Sequence, residues 1–224
     1  MIEKKIAAES ALDFIEEGMI VGLGTGSTVR FFINALAPKI KSGLKITCVS
    51  TSQKTSELAN SLGIELTDLT EVPEIDLTID GADEVDKNLN GIKGGGGALL
   101  FEKIVASYSK RNIWIVDSTK IVDTLGKFPL PVEVIKFGSD HLLDKFKKLD
   151  FRPKFRMDKG SRLISDSDNY IIDLNFGEIT EPEVIEMELK SFPGVVETGL
   201  FIGVVDAVIV GNKDGAEILE RSLK

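Results

Sequence analysis

The sequence holds one cysteine, one histidine, one tryptophan and two tyrosines among 224 residues. A single cysteine, Cys48, excludes an internal disulfide, and its place in an apolar strand-like run predicts a buried thiol in a reducing compartment. One His and one Cys leave no ligand set for a zinc cluster. No apolar run approaches the roughly 20 residues that span a bilayer, and the charged start, Met1-Ile2-Glu3-Lys4-Lys5, lacks the apolar stretch of a secretory signal. A cytoplasmic protein with no membrane partner is expected. Positive charge is also scarce, with 27 Lys and Arg against 36 Asp and Glu and a net charge of −9. That balance argues against a nucleic-acid partner, because phosphate backbones are bound by clustered Lys and Arg. An acidic chain that takes an anionic substrate must build a cationic pocket from few residues, and backbone amides are one resource for it.

The chain does have enough apolar residues, 42% against 28% charged, for an ordinary packed core. Helical spacing of Ile6/Ala7, Ala11 and Phe14/Ile15 predicts a helix over 3–17, stopped by Gly18. Strands at 19–23, 46–49, 75–79 and 113–116 then alternate with helices at 28–36, 53–62 and 98–109, a rhythm that implies a mainly parallel sheet covered on both faces. After Lys120 the rhythm becomes strand 131–137, helix 140–149, strands 162–165 and 170–174, helix 181–191 and strand 194–198. That β-α-β-β-α-β order is the ferredoxin-like unit. Residues 204–210 and a last helix over 213–222 resume the first style. The expected fold is therefore α/β, a doubly wound (Rossmann-like) mainly parallel sheet with an inserted ferredoxin-like α+β domain. The expected domains are 1–125 plus 200–224 for the sheet and 126–199 for the insertion.

In a doubly wound sheet, ligands sit outside the carboxyl ends of the strands, and the unusual loops all leave such ends. Residues 22–28 read GLGTGST. Their glycines allow close backbone approach, the next helix offers its N-terminal amides, and Thr25, Ser27 and Thr28 add hydroxyls, so a phosphate is a natural guest. A plain capped turn is the other reading. A dinucleotide fingerprint would need glycine at 27, and a P-loop would need a lysine before Ser27-Thr28. Asp80-Gly81-Ala82-Asp83-Glu84 carries two carboxylates three residues apart, suited to sugar hydroxyls or proton shuttling, though in isolation the string reads first as an Asx turn with solvated acids. Lys93 precedes four glycines, 94–97, and an apolar helix. Glycines there cost backbone entropy, and amides aimed at a ligand oxygen would be a compensating reason, with a flexible linker as the alternative. Glu102, one turn into that helix among Leu99-Leu100-Phe101 and Ile104-Val105, is placed to be desolvated toward the pKa of a general base. Asp117-Ser-Thr-Lys120 adds a cation. His141 lies in the second domain with no catalytic role assigned.

Taken together these strings resemble the type A ribose-5-phosphate isomerases: GLGTGST (22–28), DGADE (80–84), KGGGGAL (93–99) followed by Glu102, and DSTK (117–120) before GKFPLPVEV (126–134). Weaker similarity runs through RPKFR (152–156) and PGVVETGLF (193–201). The resemblance implies an aldose–ketose isomerase of the non-oxidative pentose phosphate pathway, converting ribose 5-phosphate and ribulose 5-phosphate through an enediol(ate), with no metal and no organic cofactor. It implies Glu102 as the base that carries the proton between C2 and C1, and Lys93 with the Gly94, Gly95 and Gly96 backbone as the stabiliser of the enediolate oxygen. Asp80 and Asp83 would bind hydroxyls or assist ring opening. Thr25, Gly26, Ser27, Thr28, Gly81, Ala82 and Lys120 would complete the pocket for the sugar phosphate, with Lys4 as a further candidate for the phosphate. A homodimer or homotetramer is expected.

Two stretches depart from the family's pattern, Ser165-Asp-Ser-Asp-Asn169 in place of a glycine-richer turn and Gly203-Val204-Val205-Asp206 in place of an Asn-Arg type pair. The competing readings are a non-catalytic sugar-phosphate sensor, an amino-sugar-phosphate deaminase and a coenzyme A transferase. A sensor could dispense with Glu102 and would carry a DNA-binding segment, a deaminase would be expected to use a histidine in these loops, and a transferase would need a larger cleft.

Overall fold

The computed structural model describes residues 1–221. The first elements are α1 (Ile2–Ser10), β1 (Ile20–Leu23), α2 (Ser27–Lys41), β2 (Thr47–Ser50), α3 (Gln53–Ser61) and β3 (Leu77–Asp80). There follow β4 (Glu84–Val85), β5 (Gly91–Ile92), α4 (Leu99–Ser107), β6 (Asn112–Asp117), β7 (Leu130–Val134), α5 (Ser139–Lys148) and β8 (Lys154–Phe155). The rest are β9 (Met157–Asp158), β10 (Ser161–Arg162), β11 (Tyr170–Leu174), α6 (Pro182–Lys190), β12 (Val195–Thr198), β13 (Leu200–Phe201), β14 (Ala207–Asn212) and β15 (Gly215–Glu220). Among the described residues, no helix is long and apolar enough to cross a membrane.

The chain forms two compact units. One comprises Met1–Ala82, Phe101–Ile121 and the described residues from Gly203, and the other comprises Asp83–Leu100 and Val122–Ile202. Relative to the expected boundaries, 1–125 with 200–224 and 126–199, the second unit also takes in residues 122–125 and 200–202 and the segment 83–100. That segment groups with the second unit because its short strands β4 and β5 pair with each other and with β13 rather than with the large sheet.

In the first unit, strands run in the order β15-β14-β6-β3-β1-β2, and β2, β1, β3, β6 and β14 are parallel. Val21, Leu23, Ile79, Ile113 and Ile209 point to one face, where Ala7 and Ala8 of α1, Ala11 just after it, and Val29, Phe32, Ile33 and Leu36 of α2 cover them. Each such large side chain contributes about 1.5–3 kcal/mol on burial. The opposite face is narrower at β1. A Cβ on Gly22 would lie 2.0 Å from Thr78 Oγ1 and 3.0 Å from Val105 of α4, so only glycine lets that helix approach. Cys48 is buried among the first set, and burial pushes its thiol up to about 12. Because β2 and β3 lie on opposite sides of β1, the direction of winding reverses between β1 and β3.

The expected last helix over 213–222 is instead a strand as far as the described residues go, residue 222 lying outside them. β15 pairs antiparallel with β14 through Val208↔Leu219 and Ile209↔Ile218. The tight turn decides this: Asp214 N–H donates to Asn212 Oδ1 at 2.9 Å, and Gly215 takes φ 146°, so the chain returns along an otherwise open strand edge.

In the second unit a sheet of order β12-β7-β11-β8 is antiparallel throughout, and the chain order of its strands, 4-1-3-2, is that of the ferredoxin-like unit. Its second strand is β8, not the expected 162–165. Lys159 (φ 46°) and Gly160 (φ 87°) turn the chain so that β10 pairs only with β9. The unit's largely aliphatic core includes three phenylalanines, with Phe146 edge-on to Phe192 at 5.4 Å and tilted against Phe151 at 5.9 Å.

Candidate active site

In the first unit, the carboxyl ends of β1 and β3 are neighbours, and the winding reversal between them opens a crevice of the kind where ligands bind. Gly24 N–H donates to Ile79 O at 2.9 Å, and a Cβ on Gly24 would lie 2.1 Å from Asp80 Oδ1 and 2.6 Å from Asp80 Cα. Glycine is therefore required for the two loops to touch. Asp80 Oδ1 accepts the N–H groups of Thr25 at 3.0 Å and of Gly81 at 2.7 Å, which orients its carboxylate. The Thr25 side chain, expected to meet ligand, faces the scaffold. Its hydroxyl lies 2.7 Å from both Thr51 Oγ1 and Ser52 Oγ, and Ser52 in turn caps α3 by accepting Thr55 N–H.

Gly26, at φ 131°, introduces α2, whose first residues are Ser27 and Thr28. No acid occupies that first turn, and Lys4 Nζ stands over it, donating to Ser27 Oγ at 2.9 Å. Lys4 is held there by Asp117 Oδ2 at 3.8 Å. Glu3 accepts the Ser118 hydroxyl at 2.9 Å and ties α1 to the turn that carries Lys120. Burial would raise the Asp117 pKa, but hydrogen bonds from Thr119 and the charges of Lys4 and Lys120 outweigh it and hold the carboxyl below its ordinary 3.8. Two cations, a hydroxyl and a helix N-terminus thus gather at one end of the sheet. The α4 residue Glu102 is 4% exposed. It shares the buried helix face with Val105 and Ala106, whereas Phe101 and Ile104, expected to desolvate it, point outward.

In the second unit, Asp83 N–H pairs with Ile92 O at 2.8 Å, which sets Asp83 beside the strand leading into Lys93. Asp83 Oδ2 accepts Gly95 N–H at 2.8 Å, and a Cβ on Gly95 would lie 2.6 Å from Asp83 Oδ1. Lys93 is 2% exposed, with its backbone N–H on Gly199 O at 2.9 Å and its ammonium 5.4 Å from the Phe201 ring centre. Gly94 (φ 98°) and Gly97 (φ 86°) close a turn in which Gly97 N–H donates to Gly94 O at 2.9 Å, leaving Gly95 and Gly96 exposed at its tip. Glu84, the last acid of the DGADE string, is structural. Its carboxylate accepts the backbone N–H groups of Gly126 at 2.7 Å and Phe128 at 2.6 Å. Arg156, in the RPKFR string, is not singled out by the sequence, yet its guanidinium reaches the carbonyls of the glycine turn.

Of the expected residues, the first unit brings Thr25, Gly26, Ser27, Thr28, Asp80 and Gly81 around the β1 and β3 ends, with Lys120 on the turn after β6 and Ala82 following in the chain. The second unit brings Asp83, Lys93, Gly94, Gly95 and Gly96 together around one turn. Among the described residues, no group of three or more His, Cys, Asp and Glu side chains could hold a metal ion.

Comparison with known proteins places the chain as a whole. The family model for ribose 5-phosphate isomerase A (phosphoriboisomerase A) matches residues 47–215. The ribose-5-phosphate isomerase A of Levilactobacillus brevis is 53% identical over 218 residues, 96% of each chain. A solved D-ribose-5-phosphate isomerase in complex with phospho-erythronic acid superposes with a TM-score of 0.94 at 42% identity, covering 98% of both chains. The ribose 5-phosphate isomerase A of Methanocaldococcus jannaschii gives 0.92 at 37% identity, again over 98% of both. With a glycine-bounded carboxylate at the sheet's winding reversal and a lysine-led glycine turn, and with relatives this similar along nearly all its length, the chain belongs to the ribose 5-phosphate isomerase A family.

Proposed function

We infer that this protein is an aldose–ketose isomerase that interconverts D-ribose 5-phosphate and D-ribulose 5-phosphate through an enediol(ate). The observation that carries the mechanism is Glu102, a carboxylate on the buried face of the helix that follows the glycine turn. In the open-chain aldose, Glu102 removes the proton from C2 and returns it to C1. The electron pair left on C2 moves into the former carbonyl, so charge develops on O1. Lys93 and the exposed amide at the tip of the Gly94, Gly95 and Gly96 turn bind that oxygen. The Gly95 amide already serves Asp83, so Gly96 supplies the donor in this reading. Asp80 and Asp83, each fixed by backbone amides, bind hydroxyls and pass the proton between O1 and O2. Lys4, Ser27, Thr28 and Lys120 hold the phosphate, and Thr25, Gly26, Gly81 and Ala82 shape the pocket wall.

A carboxylate base and a lysine suffice for proton transfer next to a carbonyl, so the reaction needs neither metal nor organic cofactor. The protein works in the cytoplasm as a homodimer or homotetramer. A sensor reading is not favoured, since the family is one of isomerases and the chain carries both Glu102 and Lys93. Ketose should form from ribose 5-phosphate in chelator-treated protein. Glu102→Gln should bind substrate normally while turnover falls by about 10³-fold or more. Loss of activity on chelation would overturn the metal-free step, and full turnover in the variant would remove Glu102 from its role.

A further inference from the structure

Four successive glycines have more conformational freedom than any other tetrapeptide, and ordering each costs about 1–2 kcal/mol. A donor at the tip of such a turn is useful only if something outside the turn fixes its peptide planes. Arg156 meets that requirement. Its Nε and Nη2 bind Asp173 Oδ2 at 3.0 Å and Oδ1 at 2.5 Å, a bidentate pair whose side chains are 13% and 23% exposed. The fork leaves Nη1 aimed at the turn, where it donates to Gly94 O at 2.5 Å and to Gly95 O at 3.2 Å.

Those two carbonyls belong to consecutive peptide groups. In a trans peptide, C=O and N–H point in opposite directions, and no peptide bond among the described residues is cis. Fixing Gly94 O therefore sends Gly95 N–H to the far side, where Asp83 Oδ2 accepts it at 2.8 Å. Fixing Gly95 O likewise sends Gly96 N–H away from Arg156, to the exposed side of the turn. The guanidinium also draws electron density from both carbonyls, which strengthens the N–H donors of the same peptides.

We propose that Arg156, anchored by Asp173, is a positioning residue for the isomerisation: it aims the Gly96 amide at the developing enediolate oxygen without touching substrate itself. The inference rests on the reading of the glycine turn as the enediolate-binding element. A lysine at 156 cannot replace it, because a single ammonium cannot hold Asp173 in bidentate fashion and reach two carbonyls.

The test compares wild type with Arg156→Ala, Arg156→Lys and Asp173→Asn by steady-state kinetics, each variant first checked for a native circular dichroism spectrum. Arg156→Ala should lose kcat by about 10²–10³-fold, the cost of one oxyanion donor, with KM little changed. Phospho-erythronic acid, whose carboxylate mimics the enediolate charge, should bind that variant more weakly by a similar factor. Added guanidinium ion should restore kcat saturably in Arg156→Ala and leave wild type unaffected. Arg156→Lys and Asp173→Asn should lose kcat in the same direction but less. Retention of wild-type kcat in Arg156→Ala, or a loss shared equally by kcat and KM that guanidinium does not reverse, would overturn the proposal. If Arg156→Ala does not fold, Arg156→Lys and Asp173→Asn decide on the same criteria. An inactive wild type would instead overturn the isomerase reading on which the proposal stands.

Discussion

Gly24 and Asp80 show how little room the first unit leaves at its carboxyl-end crevice. A methyl group at position 24 would fall 2.1 Å from the Asp80 carboxylate and 2.6 Å from Asp80 Cα, and the latter is backbone that cannot swing away. Gly24→Ala should destabilise the protein by about 3 kcal/mol, the upper end of the usual overpacking range, and should lower kcat by displacing Asp80. Denaturant titration and kinetics on the same sample check both effects, and an unchanged kcat would detach Asp80 from the chemistry. Gly24 was legible in the sequence because three alternating glycines announce a close approach. Lys4 was harder to read. Its place depends on contacts of α1 with the end of β6, through Glu3–Ser118 and Lys4–Asp117, more than a hundred residues apart. Arg156 gave no local signal, since an isolated arginine near a two-residue strand looks like a surface residue until Asp173 and the glycine turn are seen around it.

At the scale of elements, the glycine-rich loops were legible by composition, whereas the pieces that brace them were not. Glu84 adjoins the two carboxylates of the DGADE string in sequence, yet both its oxygens hold the 126–128 segment. Glu84→Ala leaves two amides, those of Gly126 and Phe128, without their acceptor, at about 1–3 kcal/mol each. Its melting temperature should fall clearly while Asp83, one residue earlier, keeps its own bond to Gly95. A variant as stable as wild type would contradict the bracing role. The terminal hairpin was misread for a related reason. Ala216, Ile218 and Leu219 are compatible with a helix, and only the turn at 212–215 and the open edge of β14 make the strand win. The Thr25 hydroxyl, which reads as a ligand group in the sequence, lies against Thr51 and Ser52 in the fold.

Across the molecule, alternating strand and helix spacing was enough to indicate both the parallel sheet and the ferredoxin-like unit. It could not locate the exchange of residues 83–100, which depends on the long-range pairing of β5 with β13. Electrostatics at this scale predicts an acid sensitivity. The Asp117 pKa lies below its ordinary value, so its contribution to stability is present above that ordinary value and is lost as pH falls through the lower folded one. Wild type should therefore exceed Asp117→Asn in stability at about pH 6, and the gap should close as pH falls past the ordinary 3.8 and through the lower folded value. A gap that persists or widens in acid would contradict the assignment.

The central claim is that Glu102 moves the proton between C2 and C1 in a metal-free isomerisation. Its most direct measurement is the initial rate of ketose formation from ribose 5-phosphate by chelator-treated wild type and Glu102→Gln, with substrate affinity measured alongside. Rapid turnover is expected in wild type, with a fall of about 10³-fold or more in the variant at unchanged affinity. Equal rates in the two proteins would contradict it.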